Sequence, residues 1–102
     1  MSVKKQFLKT KPVCKVTFKI TAEQAQHANS ARLVGEFNYW DVQSEPMKRL
    51  KDGSFTKTVN LEINKQHQFR YLLDNNKWEN DWHADAYTPS TIGTEENSIV
   101  VL

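Results

Sequence analysis

The stretch Cys14-Lys-Val-Thr-Phe-Lys-Ile20 alternates apolar and polar residues from end to end. Its apolar members, Cys14, Val16, Phe18 and Ile20, would share one face of an extended chain, with lysine and threonine on the other. A period of two is typical of a β-strand that has one face in a hydrophobic core and the other in water. Cys14 falls in the apolar set, and a single cysteine cannot form an internal disulfide, so we expect it to be a small core residue.

Further short strands are predicted along the rest of the chain, between turn signals. The Asp52-Gly53 pair before Phe55 marks a hairpin turn, and the polar stretch 21–30 has no apolar stripe, so we expect it to be a loop or a single helical turn. About six to eight short strands, with no helix of useful length, predict an all-β fold, a two-sheet antiparallel β-sandwich. The positions that alternation assigns to the core are Cys14, Val16, Phe18, Leu33, Phe37, Phe69, Tyr71, Val100 and Leu102.

Composition limits the classes of partner. The 102 residues fit one domain, and 14 Lys+Arg against 12 Asp+Glu give a net charge of only +2. So small a charge supplies little of the long-range field that binds nucleic acid or anionic lipid, and we expect no nucleic acid and no membrane partner. No apolar segment of secretory or membrane-spanning length follows the lysine-rich start. We therefore expect a cytoplasmic protein with a partly ordered basic N-terminal arm over residues 1–11 and a domain over residues 12–102.

Two aromatic segments carry the functional signal: Leu33-Val-Gly-Glu-Phe-Asn-Tyr-Trp40 and Phe69-Arg-Tyr-Leu-Leu-Asp-Asn-Asn-Lys-Trp78. A pyranose ring has an apolar face of C–H groups and a rim of hydroxyls, so a sugar site needs flat aromatic surfaces for stacking and nearby donors and acceptors. Trp40 and Trp78 are candidate stacking surfaces. Arg70 alternates with core positions, so we expect it to point outward and offer donors. On the residues alone, a core tryptophan and a solvated arginine paired with a carboxylate stay open as alternatives.

The order and spacing of these motifs resemble family 48 carbohydrate-binding modules, which include the glycogen-binding domain of the AMP-activated protein kinase beta subunit and the early-set domains of isoamylases and glycogen-branching enzymes. The resemblance runs from about Val13 to Leu102, through Gly35-Glu-Phe-Asn-Tyr-Trp40, Phe69-Arg-Tyr71 with Asp74, and Gly93-Thr94 followed by Asn97. It implies an immunoglobulin-like, early-set sandwich. It also implies a non-catalytic module without cofactors, whose partner is an α-glucan oligosaccharide or polysaccharide of the glycogen or starch type.

The resemblance assigns roles to individual residues. Trp40 corresponds to a tryptophan that stacks on glucose, and Arg70 to a hydroxyl-binding lysine of the kinase-type domains. Trp78 corresponds to a second stacking residue, after a loop that is one residue longer here, and Trp82 is an alternative platform. Glu96 replaces a hydroxyl-bonding asparagine, and a carboxylate can accept from two sugar hydroxyls. The implied contacts at the far end of the site are Ile92, Thr94, Glu96 and Asn97.

Enzymatic interpretations find little support in the sequence. A glycosidase needs two carboxyl groups flanking one bond, one of them with a raised pKa. The richest cluster, Glu79, Asp81 and Asp85 around His83, lies in a polar segment that we expect to be a solvated loop. Its spacing matches no established metal site, so we expect no metal. A hydrolase name would describe the isoamylase and branching-enzyme relatives, which are glycoside hydrolases.

Two other hypotheses stay open. The same fold could be a stand-alone protein-interaction module that docks on a separate amylolytic enzyme or a kinase-like partner, with Trp40 buried and no sugar cleft. Single-stranded nucleic-acid binding through aromatic residues and the lysine-rich start is disfavoured by the near-neutral charge. Exposure of Trp40 and Trp78 on one concave surface discriminates between the glucan-binding and interaction hypotheses.

Overall fold

A computed structural model of the chain describes residues 3–90 and 95–102. The secondary structure of these residues consists of strands and one short 3-10 turn, Glu36–Asn38. The strands are β1 Val3–Phe7, β2 Val13–Ile20, β3 Ala31–Gly35, β4 Lys48–Arg49, β5 Phe55–Glu62, β6 Gln66–Leu73, β7 Lys77–Glu79, β8 Ala86–Pro89 and β9 Glu96–Val101. Within the described part of the chain, no helix is long and apolar enough to cross a membrane.

The strands form two antiparallel sheets. One has four strands in the order β1-β2-β5-β4, and the other has β3-β6-β9-β8 in sequence with β7 paired to β6. Every pairing is antiparallel, and β2 lies against β5 over eight residue pairs from Val13↔Glu62 to Ile20↔Phe55. The predicted all-β, immunoglobulin-like two-sheet sandwich is confirmed.

The core lies between the two sheets and follows the predicted alternation. Seven of the nine predicted core positions are buried, and Phe37 and Leu102 are partly buried against them. Aromatic rings occupy the centre: Phe18 meets Phe69 edge-on at 4.9 Å between ring centroids, and Phe69 meets Tyr71 at 5.7 Å. Such edge-to-face pairs add to the stabilisation from buried area, by about 0.5–1.5 kcal/mol each.

The structure differs from the sequence-based expectation at the N-terminus. Residues 1–11 were expected to form a partly ordered arm, but Val3–Phe7 pairs with β2 as the edge strand of the four-stranded sheet. Val3 is buried, and Lys5 Nζ lies 2.7 Å from Asp85 Oδ2. The sequence pattern does not indicate this strand, because only Val3 of its five residues is buried and the apolar and polar residues do not alternate. The division of the chain at residue 12 stays a prediction.

Two predicted connections are confirmed. Residues 21–30 cross between the sheets as a series of hydrogen-bonded turns, in which Ala25 N–H donates to Thr21 O at 2.9 Å. The Asp52-Gly53 pair turns β4 into β5, with Gly53 in the left-handed region at φ 86° and its N–H donating to Leu50 O at 3.0 Å. Glycine suits this turn because it lacks the Cβ that disfavours positive φ.

The outer face of the five-stranded sheet is the surface that carries the candidate site. Because side chains alternate along β6, Phe69 and Tyr71 point into the core whereas Gln68, Arg70 and Leu72 point to the other side. Leu72 is buried without belonging to the main core, as are two neighbours in this sheet, Val34 and Ile99. The outer face is therefore partly covered, and its polar residues lie in a depression.

Candidate functional site

The segment after β3 turns sharply because Asn38 fixes its backbone. The Asn38 side chain accepts from Gly35 N–H at 3.0 Å and donates to Leu33 O at 2.9 Å. Trp40 N–H donates to Gly35 O and Tyr39 N–H to Glu36 O, at 2.9 and 3.2 Å, the two bonds of a Schellman motif. The asparagine in Glu-Phe-Asn-Tyr-Trp thus holds the turn that presents Trp40.

Two consecutive aromatic residues in this turn have left-handed backbone conformations. Tyr39 has φ 57° and Trp40 has φ 55°. Bulky residues rarely adopt positive φ, and each instance costs of order 1–3 kcal/mol unless the surroundings impose it. Such strain is concentrated at ligand-binding sites. The turn therefore holds two large rings outward at a cost in backbone strain.

Trp40 and Trp78 line the same groove on the outer face of the five-stranded sheet. The groove has a volume of about 610 Å³, and its other walls are Glu36, Val42, Gln68, Arg70, Ser90, Glu95 and Asn97. Trp40 is 36 % exposed and Trp78 41 % exposed, so each ring keeps a solvent-facing surface. Trp78 lies opposite Leu72 in the β6–β7 pairing, which places it on the outer face with Arg70. The loop before Trp78 therefore leaves this ring in the groove.

Arg70 faces outward on β6 as expected, but it is only 9 % exposed. Three neighbours enclose it: Nη1 donates to Glu95 Oε2 at 2.7 Å, Nε donates to Asn97 Oδ1 at 2.6 Å, and the guanidinium carbon lies 6.0 Å from the centroid of the Trp78 ring. This separation is at the outer limit for a cation–π contact. Arg70 is thus a groove residue that is paired with a carboxylate but is not solvated, and its role in sugar binding stays a prediction.

A hydrogen-bond network fixes the floor of the groove. Asn97 Nδ2 donates to Gln68 Oε1 at 2.9 Å, while Asn97 Oδ1 accepts from Arg70. Gln68 backbone N–H donates to Glu36 Oε1 at 2.7 Å. Asn97 is buried and its amide links Gln68 and Arg70. These bonds restrict the rotamers of the polar side chains before any ligand is present.

The remaining predicted site residues have different positions. Glu96 does not line the groove but a neighbouring depression that also contacts Arg70 and Trp78. Ile92 and Thr94 lie outside the described residues, so their assignment stays a prediction. Trp82 is 47 % exposed and lines neither depression.

Sequence reasoning missed five groove residues, Glu36, Val42, Gln68, Ser90 and Glu95. Strand alternation contained the signal for two of them. Gln68 lies two residues before Arg70 on β6, and Glu95 lies two residues before Asn97. Glu95, rather than the predicted Glu96, therefore shares a face with Asn97 and reaches Arg70.

The segment around His83 is a loop, as expected, in which His83 and Asp85 are exposed, but Asp81 is buried. Asp81 is 1 % exposed, and its Oδ2 accepts from Tyr71 Oη at 2.7 Å while its Oδ1 accepts from His83 N–H at 2.8 Å. Burial, with the charge and hydrogen bond of Asp81, raises the pKa of Tyr71 well above its ordinary value. The expectation is wrong for Asp81 alone, because this residue forms hydrogen bonds with the buried Tyr71 and Ser98. Among the described residues, no group of three or more potential ligands could hold a metal ion.

Comparison with known protein families identifies the fold family. Residues 10–88 match the model of carbohydrate-binding module 48, described as the isoamylase N-terminal domain. The chain belongs to this family. The match covers most of the sequence, including the turn that presents Trp40 and the strand that carries Arg70. A search of curated proteins found no match.

Membership confirms the resemblance that the order and spacing of the motifs indicated. Carbohydrate-binding module 48 domains are binding modules, and this chain is accordingly a carbohydrate-binding module with an early-set sandwich fold. The groove described above is the concave surface in the described chain that combines two tryptophans with several polar side chains. Pockets that bind small molecules typically combine apolar surface with a few well-placed polar groups.

Proposed function

We propose that the module binds stretches of α-1,4-linked glucose in the Trp40–Trp78 groove without turning them over. One observation carries the proposal: two half-exposed tryptophans line one groove together with an enclosed guanidinium. A core role for Trp40, the alternative that the sequence left open, does not fit a ring that is 36 % exposed on a strained turn. Left-handed residues occur elsewhere in the chain, but in this turn they are large exposed aromatic residues, for which a ligand-binding role would offer an explanation.

Binding combines stacking with hydrogen bonding. The C–H faces of two glucose units stack on the indoles of Trp40 and Trp78, which already present flat apolar surfaces. The N–H groups of Arg70 that do not bond to Asn97 or Glu95 donate to hydroxyls, and the exposed carboxylate of Glu95 accepts from them. Asn97 acts as a positioning residue, because its amide holds Arg70 and Gln68 in place.

The groove offers a poor arrangement for hydrolysis. Its carboxylates are Glu36, which accepts from the Gln68 backbone, and Glu95, which pairs with Arg70. A glycosidase holds its general acid in an apolar pocket, whereas both glutamates here are exposed to solvent and one is paired with a cation. We therefore propose binding alone. A separate amylolytic enzyme or kinase-like partner remains a hypothesis drawn from the family, and a cytoplasmic location remains an expectation from the sequence.

The direct test is a titration with an α-glucan. Maltoheptaose or β-cyclodextrin should shift or quench tryptophan fluorescence with an affinity in the micromolar to millimolar range, because a shallow groove buries few ligand atoms. Cellohexaose, which has β-1,4 linkages, is the matched control and should bind more weakly. Absence of calorimetric heat with any α-glucan up to about 10 mM would contradict the proposal and favour the protein-interaction hypothesis.

A further inference from the structure

Tyr39 is an aromatic residue whose position the fold does not explain. Its side chain is 93 % exposed, the highest value among the large hydrophobic side chains that are exposed. It occupies the left-handed position after the 3-10 turn, with φ 57°. That position of a Schellman motif usually carries glycine or asparagine, which adopt positive φ with less strain. A tyrosine here gains little packing, so a ligand is a better explanation for the ring.

The Tyr39 ring lies at a second depression, next to the tryptophan groove. The depression has a volume of about 420 Å³ and is lined by Tyr39 together with polar residues from the β5–β6 hairpin. The polar residues are Asn60, Glu62, Lys65 and Gln66. This combination of one exposed ring with amide, carboxylate and ammonium groups is the composition that a polyhydroxylated ligand requires.

The two depressions adjoin each other. Glu36 lines both, and its Oε1 is fixed by the Gln68 backbone N–H at 2.7 Å. On β6, Arg70 and Gln68 line the tryptophan groove and Gln66 lines the second depression. Residues two apart on a strand share a face and are separated by about 7 Å. One row of outward-facing side chains on β6 therefore runs from the first depression into the second.

The charge of the second depression fits a neutral ligand. Its ionic groups have both signs, and Lys65 Nζ lies 3.6 Å from Glu62 Oε2. The buried His67 has its Nε2 3.0 Å from Glu62 O, so it faces the backbone of the hairpin. With Glu36 the lining holds two carboxylates and one ammonium group, so a phosphate would find no excess of positive charge there. Sugar hydroxyl groups can donate hydrogen bonds to the carboxylates and accept them from the ammonium group.

We propose that the second depression is an extension subsite for the same glucan chain, with Tyr39 as its stacking surface and Asn60 and Gln66 as hydroxyl partners. The inference rests on the proposed glucan binding in the tryptophan groove. A chain that occupies the groove passes Glu36 and places further glucose units against Tyr39. Short oligosaccharides fill the groove alone, whereas longer ones contact both depressions.

The test measures affinity as a function of glucan length in the parent and in Tyr39→Asn. Asparagine tolerates the left-handed conformation, so the variant should melt at or above the temperature of the parent. In the parent, affinity should rise between maltotriose and maltodecaose. In Tyr39→Asn, affinity for maltodecaose should fall about fivefold or more while affinity for maltotriose changes less than about twofold, because only the longer chain loses an aromatic contact.

Phe7→Thr is the matched control, because Phe7 is also an exposed ring and lines neither depression. Threonine retains strand propensity, so this variant should show the length dependence of the parent. A parent that binds glucan while Tyr39→Asn matches it at every length would overturn the subsite. So would an equal loss for maltotriose and maltodecaose, or a parent affinity independent of length. A parent that binds no α-glucan would instead refute the proposed function of the groove.

Discussion

The two faces of β6 differ in what their side chains contribute. On the inner face, Phe69 and Tyr71 are fully enclosed among the aromatic rings of the core. On the outer face, Gln68 and Arg70 lie in a groove between half-exposed tryptophans. Adjacent residues of β6 therefore belong alternately to the hydrophobic core and to the groove. We expect substitutions on the inner face to change stability and those on the outer face to change carbohydrate affinity.

The largest effect on stability is expected for Phe69→Ala. Phe69 is fully buried and contacts both the Phe18 and the Tyr71 rings. Removal of such a ring leaves a cavity and costs about 3–5 kcal/mol of unfolding free energy. For a domain of this size the melting temperature should fall by well over ten degrees. Thermal or denaturant unfolding followed by circular dichroism measures this change, and a loss below about 1 kcal/mol would break the distinction between the two faces.

Tyr71→Phe should have a smaller effect on stability. The substitution keeps the ring and removes the hydroxyl that donates to the buried carboxylate of Asp81 at 2.7 Å. A buried acceptor that loses its partner costs about 1–3 kcal/mol, and more when it is charged. Denaturant unfolding at neutral pH tests this value. An unchanged midpoint would show that Asp81 finds another donor.

The stability difference between the parent and Tyr71→Phe should depend on pH. Burial and Asp81 raise the pKa of Tyr71 in the folded protein above its ordinary value of about 10. The phenol therefore contributes stability that is fully present below pH of about 10 and is lost as the pH rises toward the folded pKa. The melting temperatures of the two proteins should approach each other above pH 10. Lysine titration affects both proteins and cancels in the comparison, so a constant difference would contradict this role.

Arg70→Ala, on the outer face, should lower α-glucan affinity by about 1 kcal/mol, the usual contribution of hydrogen bonds to neutral hydroxyls. Glu95 is exposed and can be hydrated after its partner is removed, whereas the buried Asn97 loses one donor. Calorimetric titration with maltoheptaose gives the affinity, and Lys77→Ala, which changes an exposed cation outside the groove, is the charge control. An unchanged affinity of Arg70→Ala for maltoheptaose would show that Arg70 does not contribute to glucan binding.

The sandwich could be predicted because its central strands alternate clearly. Cys14, Val16, Phe18, Phe69 and Tyr71 are all buried as their spacing indicates. The edge strand β1 could not be predicted in the same way, because an edge strand buries few side chains and carries lysines. The alternation of apolar and polar residues gives no information about a strand whose position depends on a contact between residues far apart in the sequence. The ion pair between Lys5 and Asp85 is such a contact.

The candidate site could be predicted in part. Trp40, Trp78, Arg70 and Asn97 were all predicted, and the structure brings them together in one groove. Glu95 was missed because its role depends on which of two adjacent glutamates faces Arg70, and that is set by the register of β9. The strained conformation of Tyr39 has no sequence signature, because this position would ordinarily favour glycine or asparagine.

The most direct test of the account is to measure melting and glucan binding on the same Trp40→Ala protein. If Trp40 is a stacking surface, affinity for maltoheptaose should fall by about 1–3 kcal/mol, the scale of losing one aromatic anchor. The melting temperature should stay within a few degrees of the parent value, because the ring lies in the groove and not in the core. A largely unfolded protein, which a core tryptophan would produce through a loss of about 3–5 kcal/mol, or a folded protein that binds glucan as well as the parent, would contradict the account.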